Sequence, residues 1–288
     1  MVTLAQILAE SKAALSEADI DDPTLEARMI VEHFSGTTRT DSIARPDTSV
    51  SGSVAATIRA AVDRRLKGEP VHRIFGFRDF HGIRLVLSAD TLEPRPDTET
   101  LVDAVLPFMR ERMAASGTCR ILDLGTGTGD IAIALLDAVK GAIGVATDIA
   151  EGALLTAAAN ARAAGIADRL RFVRSDWFDA VEGRYDAIVS NPPYIPSDEI
   201  AGLDREVRDF DPRRALDGGP DGLGPYRAMA SQASRFLLES SIVAVEIGYG
   251  QGVDIRGIFA EAGYVLDATH RDLAGIERVL VFRSRTGS

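Results

Sequence analysis

The chain has 288 residues, 45% hydrophobic and 26% charged, which is enough to bury one large core or two modest ones in an ordinary soluble protein. A formal net charge of −11 sets an average field that repels a long nucleic-acid duplex and suits a basic protein partner. No apolar run approaches the roughly 20 residues of a membrane helix, the N-terminus lacks a signal-peptide pattern, and the single cysteine, Cys119, rules out an intrachain disulfide, so a cytoplasmic protein off the membrane is expected.

Residues 1–68 read as a small helical bundle. Thr3-Leu4-Ala5-Gln6 has the spacing of a capping box, and Leu4, Ile7, Leu8 and Leu15 form a helical stripe. Asp22-Pro23 places a cap residue before a first-turn proline, and Ser53 is expected to open a third helix carrying Val54, Ile58, Val62 and Leu66. Gly68-Glu69-Pro70 ends that pattern. Residues 69–92 then read as a β-hairpin linker, with Phe75, Phe77, Phe80, Ile83, Leu85 and Val86 around Gly76 and Gly82. The third region, 93–288, starts with the stiff, charged segment Glu93 to Glu99, in which Asp97 or Thr98 is expected to cap the next helix.

From Arg120 the pattern alternates strand and helix, which predicts an α/β doubly wound parallel sheet. Strands are expected at Ile121–Leu124, Ile143–Thr147, Leu170–Val173, Ala187–Ser190 and Ile242–Ile247. The last two, near Tyr264–Ala268 and Val279–Phe282, are too close for a crossover helix and should pair antiparallel.

Candidate site residues follow the strands, where such sheets bind ligands. Gly125, Thr126, Gly127, Thr128 and Gly129 form a glycine loop after the first strand. Its spacing is Gly-x-Gly-x-Gly with Asp130 next, which departs from the pyrophosphate-binding fingerprint. Asp148 ends the second strand, where a carboxylate can accept from both ribose hydroxyls. Asp176 and Trp177 follow the third strand and suit an adenine amino group and ring. A ribose acid, an adenine clamp and a glycine loop with no phosphate lysine together suggest S-adenosylmethionine. No metal is expected, because His33, His72, His81 and His270 lack ligand spacing.

Asn191-Pro192-Pro193-Tyr194 follows the fourth strand. Neither proline can donate to a sheet ladder, so the pair fixes a stiff turn. It holds two acceptors in place, the Asn191 side-chain oxygen and the Pro192 carbonyl. Two aimed acceptors suit a planar N–H₂ group, on an amide or a nucleobase, with Tyr194 as a flat face beside it. A proline-rich turn after a core strand is the plainer account of the tetrapeptide alone. Arg95, Glu99 and Glu246 are weaker candidates near the same place, explained equally by a salt bridge or a core cap.

The glycine loop together with Asn-Pro-Pro-Tyr resembles the class I amino-methyltransferases. Further stretches narrow this to the release factor glutamine methyltransferases, the HemK/PrmC family. They are Glu69 to Gly76, Pro94 to Glu99, Asp211 to Leu216, Gly218 to Leu223, Glu246-Ile247-Gly248 and Arg271 to Gly275. Asp97 and Asp211 stand where the family often has Glu, and Glu93 where it often has an apolar residue. The resemblance implies a class I S-adenosylmethionine-dependent methyltransferase fold, Rossmann-like with an antiparallel last strand in a seven-stranded sheet, plus an N-terminal substrate-docking bundle.

The resemblance further implies methyl transfer from S-adenosylmethionine, leaving S-adenosylhomocysteine, to the side-chain amide of the glutamine in the Gly-Gly-Gln motif of class 1 peptide chain release factors. Asn191, Pro192 and Tyr194 would be catalytic, the whole tetrapeptide would hold the substrate, and Asn191 would also face the cofactor. A monomer without nucleic-acid partner is expected. The competing enzyme reading is an adenine-N6 methyltransferase, which presents a flipped base to the same acceptors. A non-catalytic protein that binds a translation factor is a third.

Overall fold

The computed structural model describes residues 2–284. Contacts divide the chain into two units between Gly76 and Phe77. Among the described residues no helix is long and apolar enough to cross a membrane.

The first unit runs β1 (Val2–Thr3), α1 (Leu4–Glu17), α2 (Pro23–Ser35), α3 (Arg39–Ala44), β2 (Ser49–Val50), α4 (Gly52–Leu66) and α5 (Val71–Phe75). Thr3 and Gln6 form the expected capping box, and Asp22 Oδ1 accepts from the Leu25 N–H before a first-turn proline. The third long helix begins earlier than expected. Its cap is Ser51, whose Oγ accepts from the Val54 N–H at 3.3 Å. Leu4, Ile7, Ile30, Val31, Ile58, Val62, Val71 and Ile74 share one core. Because Val71 and Ile74 belong to that core, the unit extends beyond residue 68, and residues 71–75 are helix and not hairpin.

The second unit opens with the hairpin β3 (Phe77–Phe80) and β4 (Ile83–Val86). Phe80 and Leu85 are buried in the main core of this unit, so the hairpin is part of it and not a free linker. A 3₁₀ turn (Pro96–Thr98) leads into α6 (Glu99–Ser116). Then follow β5 (Arg120–Leu124), α7 (Asp130–Ala138), β6 (Ile143–Asp148), α8 (Glu151–Ala163), β7 (Leu170–Arg174), β8 (Tyr185–Ser190), α9 (Arg205–Phe210), α10 (Gly224–Gln232), β9 (Leu237–Glu246), α11 (Gly252–Glu261), β10 (Tyr264–Arg271) and β11 (Glu277–Ser284).

The seven-stranded sheet has the order β10-β11-β9-β8-β5-β6-β7. β5, β6, β7, β8 and β9 pair in parallel, and β11 lies antiparallel between β9 and β10, as the short final connection requires. Alternate residues face opposite layers. Ile121, Ala187, Val189, Ile242 and Ala244 pack toward α6 and α7. Leu122, Leu124, Ile188, Val243 and Val245 pack toward α10 and α11. Strand order reverses about β5, so the C-terminal ends of β5, β6, β7 and β8 open onto one crevice.

Candidate active site

The glycine loop leaves β5 with Gly125, Gly127 and Gly129 all at positive φ, which explains the glycine at each alternate position. A Cβ on Gly129 would also lie 2.9 Å from Ile133 Cδ1 and 3.2 Å from Ala157 Cβ. The Thr126 hydroxyl donates to Asp123 Oδ2 at 2.6 Å, and its N–H donates to the Thr147 carbonyl at 2.8 Å, fastening the loop to β5 and β6. The Gly127 N–H donates to Asp148 Oδ2 at 3.0 Å, and the Ala150 N–H donates to Asp148 Oδ1 at 2.9 Å. Asp148 therefore both braces the loop and holds Ala150, the residue from which α8 starts. Each oxygen of a carboxylate keeps a second lone pair, so it can still accept from a ligand.

These segments line a cavity of about 460 Å³. Gly125 to Thr128, Asp148, Asp176, Trp177, Asn191 and Pro193 all contribute to its wall. The structure thus brings together the glycine loop, Asp148, Asp176-Trp177 and the tetrapeptide. Gly129 stands behind the wall, where it starts α7. Trp177 sits at φ 45°, with its carbonyl accepting from the Ser175 hydroxyl at 3.0 Å. The ring is aimed by that turn and packs partly on the core.

The wall is acidic. Asp130 lines it, and burial pushes its carboxyl up to about 6. Behind it burial pushes Asp123 up to about 7, and Asp123 Oδ1 has no hydrogen-bond partner among the described residues. The carboxylates that line this cavity outnumber its two arginines, which disfavours a pyrophosphate and favours a ligand carrying positive charge. S-adenosylmethionine carries a sulfonium and an ammonium, so the residues fit it.

A second cavity, of about 390 Å³, lies on the other side of the tetrapeptide. Pro192, Tyr194, Glu246, Arg278, Leu203 and Val207 line it, and Asn191, Leu92, Arg95 and Ala215 line both cavities. Asn191 Nδ2–H donates to Thr98 Oγ1 at 3.0 Å, which leaves Oδ1 to face a ligand. Burial pushes the Tyr194 phenol up to about 12, so it stays neutral and offers a ring face, not a base. The turn is clamped from below. Gln251 Nε2–H donates to the Tyr194 carbonyl at 2.8 Å, and a Cβ on Gly218 would lie 2.8 Å from the Pro193 carbonyl.

Several side chains have other jobs than the sequence suggested. Thr98 stands at the cap position of α6 as expected, but its hydroxyl makes no cap bond and receives Asn191 instead. Glu99 is turned to the hairpin, where it accepts from the His81 N–H at 2.7 Å and holds the turn. Arg95 does line both cavities and pairs with Asp211 at 2.8 Å. The residues at the family's variable positions are all engaged: Glu93 pairs with Arg78, and Asp97 with Arg278 at 3.0 Å. Thr98, Gly218, Gly222 and Gln251 were not separable as site residues from sequence, since their partners lie on distant loops.

Known proteins resemble this chain along nearly its whole length. The PrmC N-terminal domain matches residues 6–76, and the methyltransferase small domain matches residues 99–202. A release factor glutamine methyltransferase of Agrobacterium fabrum is 48% identical over 98% of this chain and 97% of its own length. The chain belongs to the release factor glutamine methyltransferase family. Family members from Rhodospirillum rubrum, 45% identical over 99% of this chain and 86% of theirs, and Caulobacter vibrioides, 38% identical over 97% and 96%, align along the same span. The catalytic domain of hMettl16, solved with the MAT2A 3′UTR hairpin 6, shares the fold with a TM-score of 0.56 at 14% identity, covering 82% of this chain and 83% of that one. Like the family, this chain is an S-adenosylmethionine-dependent methyltransferase.

Proposed function

We propose that Asn191-Pro192-Pro193-Tyr194 receives the glutamine side chain of the Gly-Gly-Gln motif of class 1 peptide release factors, and that the enzyme methylates its amide nitrogen, N5. The observation that carries this reading is the meeting of two cavities at Asn191, a larger acidic one and a smaller one beside Tyr194. The larger suits the cofactor, held by the glycine loop, Asp148, Asp176 and Trp177. The smaller suits one planar side chain.

S-adenosylmethionine supplies an electrophilic methyl group on a sulfonium. An amide nitrogen is a weak nucleophile, because its lone pair is delocalised into the carbonyl, so the chain's own task is orientation. Asn191 Oδ1 and the Pro192 carbonyl each accept one amide hydrogen, turning the nitrogen toward the larger cavity. Positioning can supply several kcal/mol, up to about 7–11 in the best oriented cases. The same acceptors stabilise positive charge developing on nitrogen, and the methylated nitrogen, now strongly acidic, loses one proton to water. Tyr194 packs on the amide plane and helps keep water out. The first unit is the docking domain for the protein substrate, and the setting is the cytoplasm, where the free Cys119 thiol stays reduced.

Incubation with methyl-labelled S-adenosylmethionine and either purified release factor or DNA tests this reading. Label should enter the release factor and vanish with Asn191→Ala, while cofactor binding persists. Label in nucleic acid alone would establish the adenine-N6 reading instead.

A further inference from the structure

A primary amide carries two N–H donors and one carbonyl oxygen. In the site proposed above, Asn191 Oδ1 and the Pro192 carbonyl take the N–H groups, and the carbonyl oxygen is buried along with them. A buried acceptor without a donor is costly, so the site needs a donor as well. Four residues line both cavities: Leu92, Arg95, Asn191 and Ala215. Of these four, only Asn191 and Arg95 have polar side chains. Asn191 supplies an acceptor. Arg95 supplies donors alone, because a guanidinium has five N–H groups and accepts nothing.

Arg95 is firmly placed. It stands between Pro94 and Pro96, with its backbone extended at φ −102° and ψ 144°. Its carbonyl accepts from the N–H of Thr98 at 3.1 Å, the same residue whose hydroxyl receives Asn191. Its guanidinium donates to Oδ2 of the buried Asp211 at 2.8 Å, and Asp211 Oδ1 accepts from the Glu93 N–H at 3.4 Å. That ion pair uses one of the five donors, and 41% of the Arg95 side chain stays exposed. Asp211 also balances the charge, so a guanidinium on the shared wall does not oppose the sulfonium. Arg278, the other guanidinium of the smaller cavity, is engaged by Asp97 at 3.0 Å and Asp272 at 2.9 Å and does not reach the larger one.

We propose that Arg95 is a specificity-determining residue for methyl transfer: its guanidinium donates to the side-chain carbonyl oxygen of the acceptor glutamine. This rests on the role given to Asn191 above. Acceptors on one side and a donor on the other admit the amide in a single orientation. Turned over, its N–H₂ would meet the guanidinium and its oxygen would meet Asn191 Oδ1 and the Pro192 carbonyl, which is repulsive at both ends. The same arrangement separates glutamine from side chains of similar size. A glutamate meets Arg95 with one oxygen and sets the other against two acceptors. A methionine satisfies neither side.

The test compares full-length wild type, Arg95→Met and Asn191→Ala. A release factor with Gly-Gly-Gln serves as substrate. Release-factor variants with Gly-Gly-Glu and Gly-Gly-Met, which have no amide nitrogen to methylate, serve as competitive inhibitors. In Arg95→Met, kcat/KM for the release factor should fall about ten- to hundredfold, the loss expected for one hydrogen bond to a charged group, with calorimetric cofactor affinity near that of wild type. The inhibition constant of the Gly-Gly-Glu variant should rise about tenfold and that of the Gly-Gly-Met variant should not change, because only the first offers Arg95 an oxygen. Equal effects on the two inhibitors would overturn the inference, since Arg95 would then only shape the wall. So would a wild-type kcat/KM. If Arg95→Met does not fold, Arg95→Ala is judged by the same readouts. An inactive Asn191→Ala beside a normal Arg95→Met removes this inference alone. An active Asn191→Ala removes the underlying reading.

Discussion

Gly222→Ala probes the clamp beneath the tetrapeptide without changing any side chain that lines the two cavities. Gly222 sits at φ +71°, a conformation that costs alanine about 1–2 kcal/mol. The added Cβ would fall inside contact distance of the Tyr194 carbonyl oxygen, 3.1 Å from its carbon and 2.8 Å from Gln251 Nε2. That last atom donates the bond that clamps Tyr194, so about 1 kcal/mol more is at risk. A total of roughly 2–3 kcal/mol predicts a fall in Tm of about 5–10 °C for a domain of this size. If the turn moves instead, a displacement of about 1 Å can cost on the order of 100-fold in rate. Turnover at saturating cofactor, thermal melting and calorimetric cofactor binding separate these effects. The expected result is a large loss of kcat with near-normal cofactor affinity, because Asp148 and the glycine loop belong to other strands. A folded Gly222→Ala enzyme with wild-type kcat would show that the clamp does not matter.

Asp148→Ala should weaken cofactor binding about 100-fold, through loss of charge-assisted bonds worth about 1.5–3 kcal/mol, measured by titration calorimetry. Asn160→Leu should destabilise the enzyme by about 2–4 kcal/mol in denaturant titration, because buried Asn160 bonds the Val86 N–H (2.8 Å), the Val86 carbonyl (3.1 Å) and the Thr128 carbonyl (2.9 Å), tying the hairpin to the glycine loop. Asp123, Asp130 and Glu246 are raised to about 7, 6 and 7 by burial, so the folded protein binds more protons than the unfolded chain between about pH 4 and 7. Their stabilisation is complete below the unfolded values and is lost as pH rises through the folded ones. The cofactor-free protein should therefore melt higher at pH 5.5 than at pH 8, and Glu246→Gln should raise its stability at pH 8 by on the order of 1–3 kcal/mol. Cys119, with its thiol pushed up to about 12 by burial, should resist thiol reagents until the protein unfolds.

The sheet was legible because its central strands are buried on both faces and read as short apolar runs; every residue of β8 is buried. The site loops were legible for a related reason. Positive φ demands glycine at 125, 127 and 129, and the two prolines mark a turn no strand can contain. What stayed hidden depends on long-range contact or on weak local signal. Nothing near Thr98 says that it meets a side chain 93 positions away, and its place before a helix suggested a cap instead. Glu99 has the same history, its partner being a backbone N–H in the hairpin. α3 buries none of its residues, so it has no apolar stripe to read. The unit boundary was placed early because α5 is only five residues long and follows Gly68-Glu69-Pro70, ending at Gly76 in the left-handed conformation.

Mass spectrometry of the Gly-Gly-Gln peptide of a release factor, after incubation with enzyme and S-adenosylmethionine, tests the central claim most directly. The peptide should gain one methyl group, fragmentation should place it on the glutamine side-chain nitrogen, and Asn191→Ala should leave the peptide unmodified. An unmodified glutamine from active enzyme, or a methyl group on any other residue, would contradict the account.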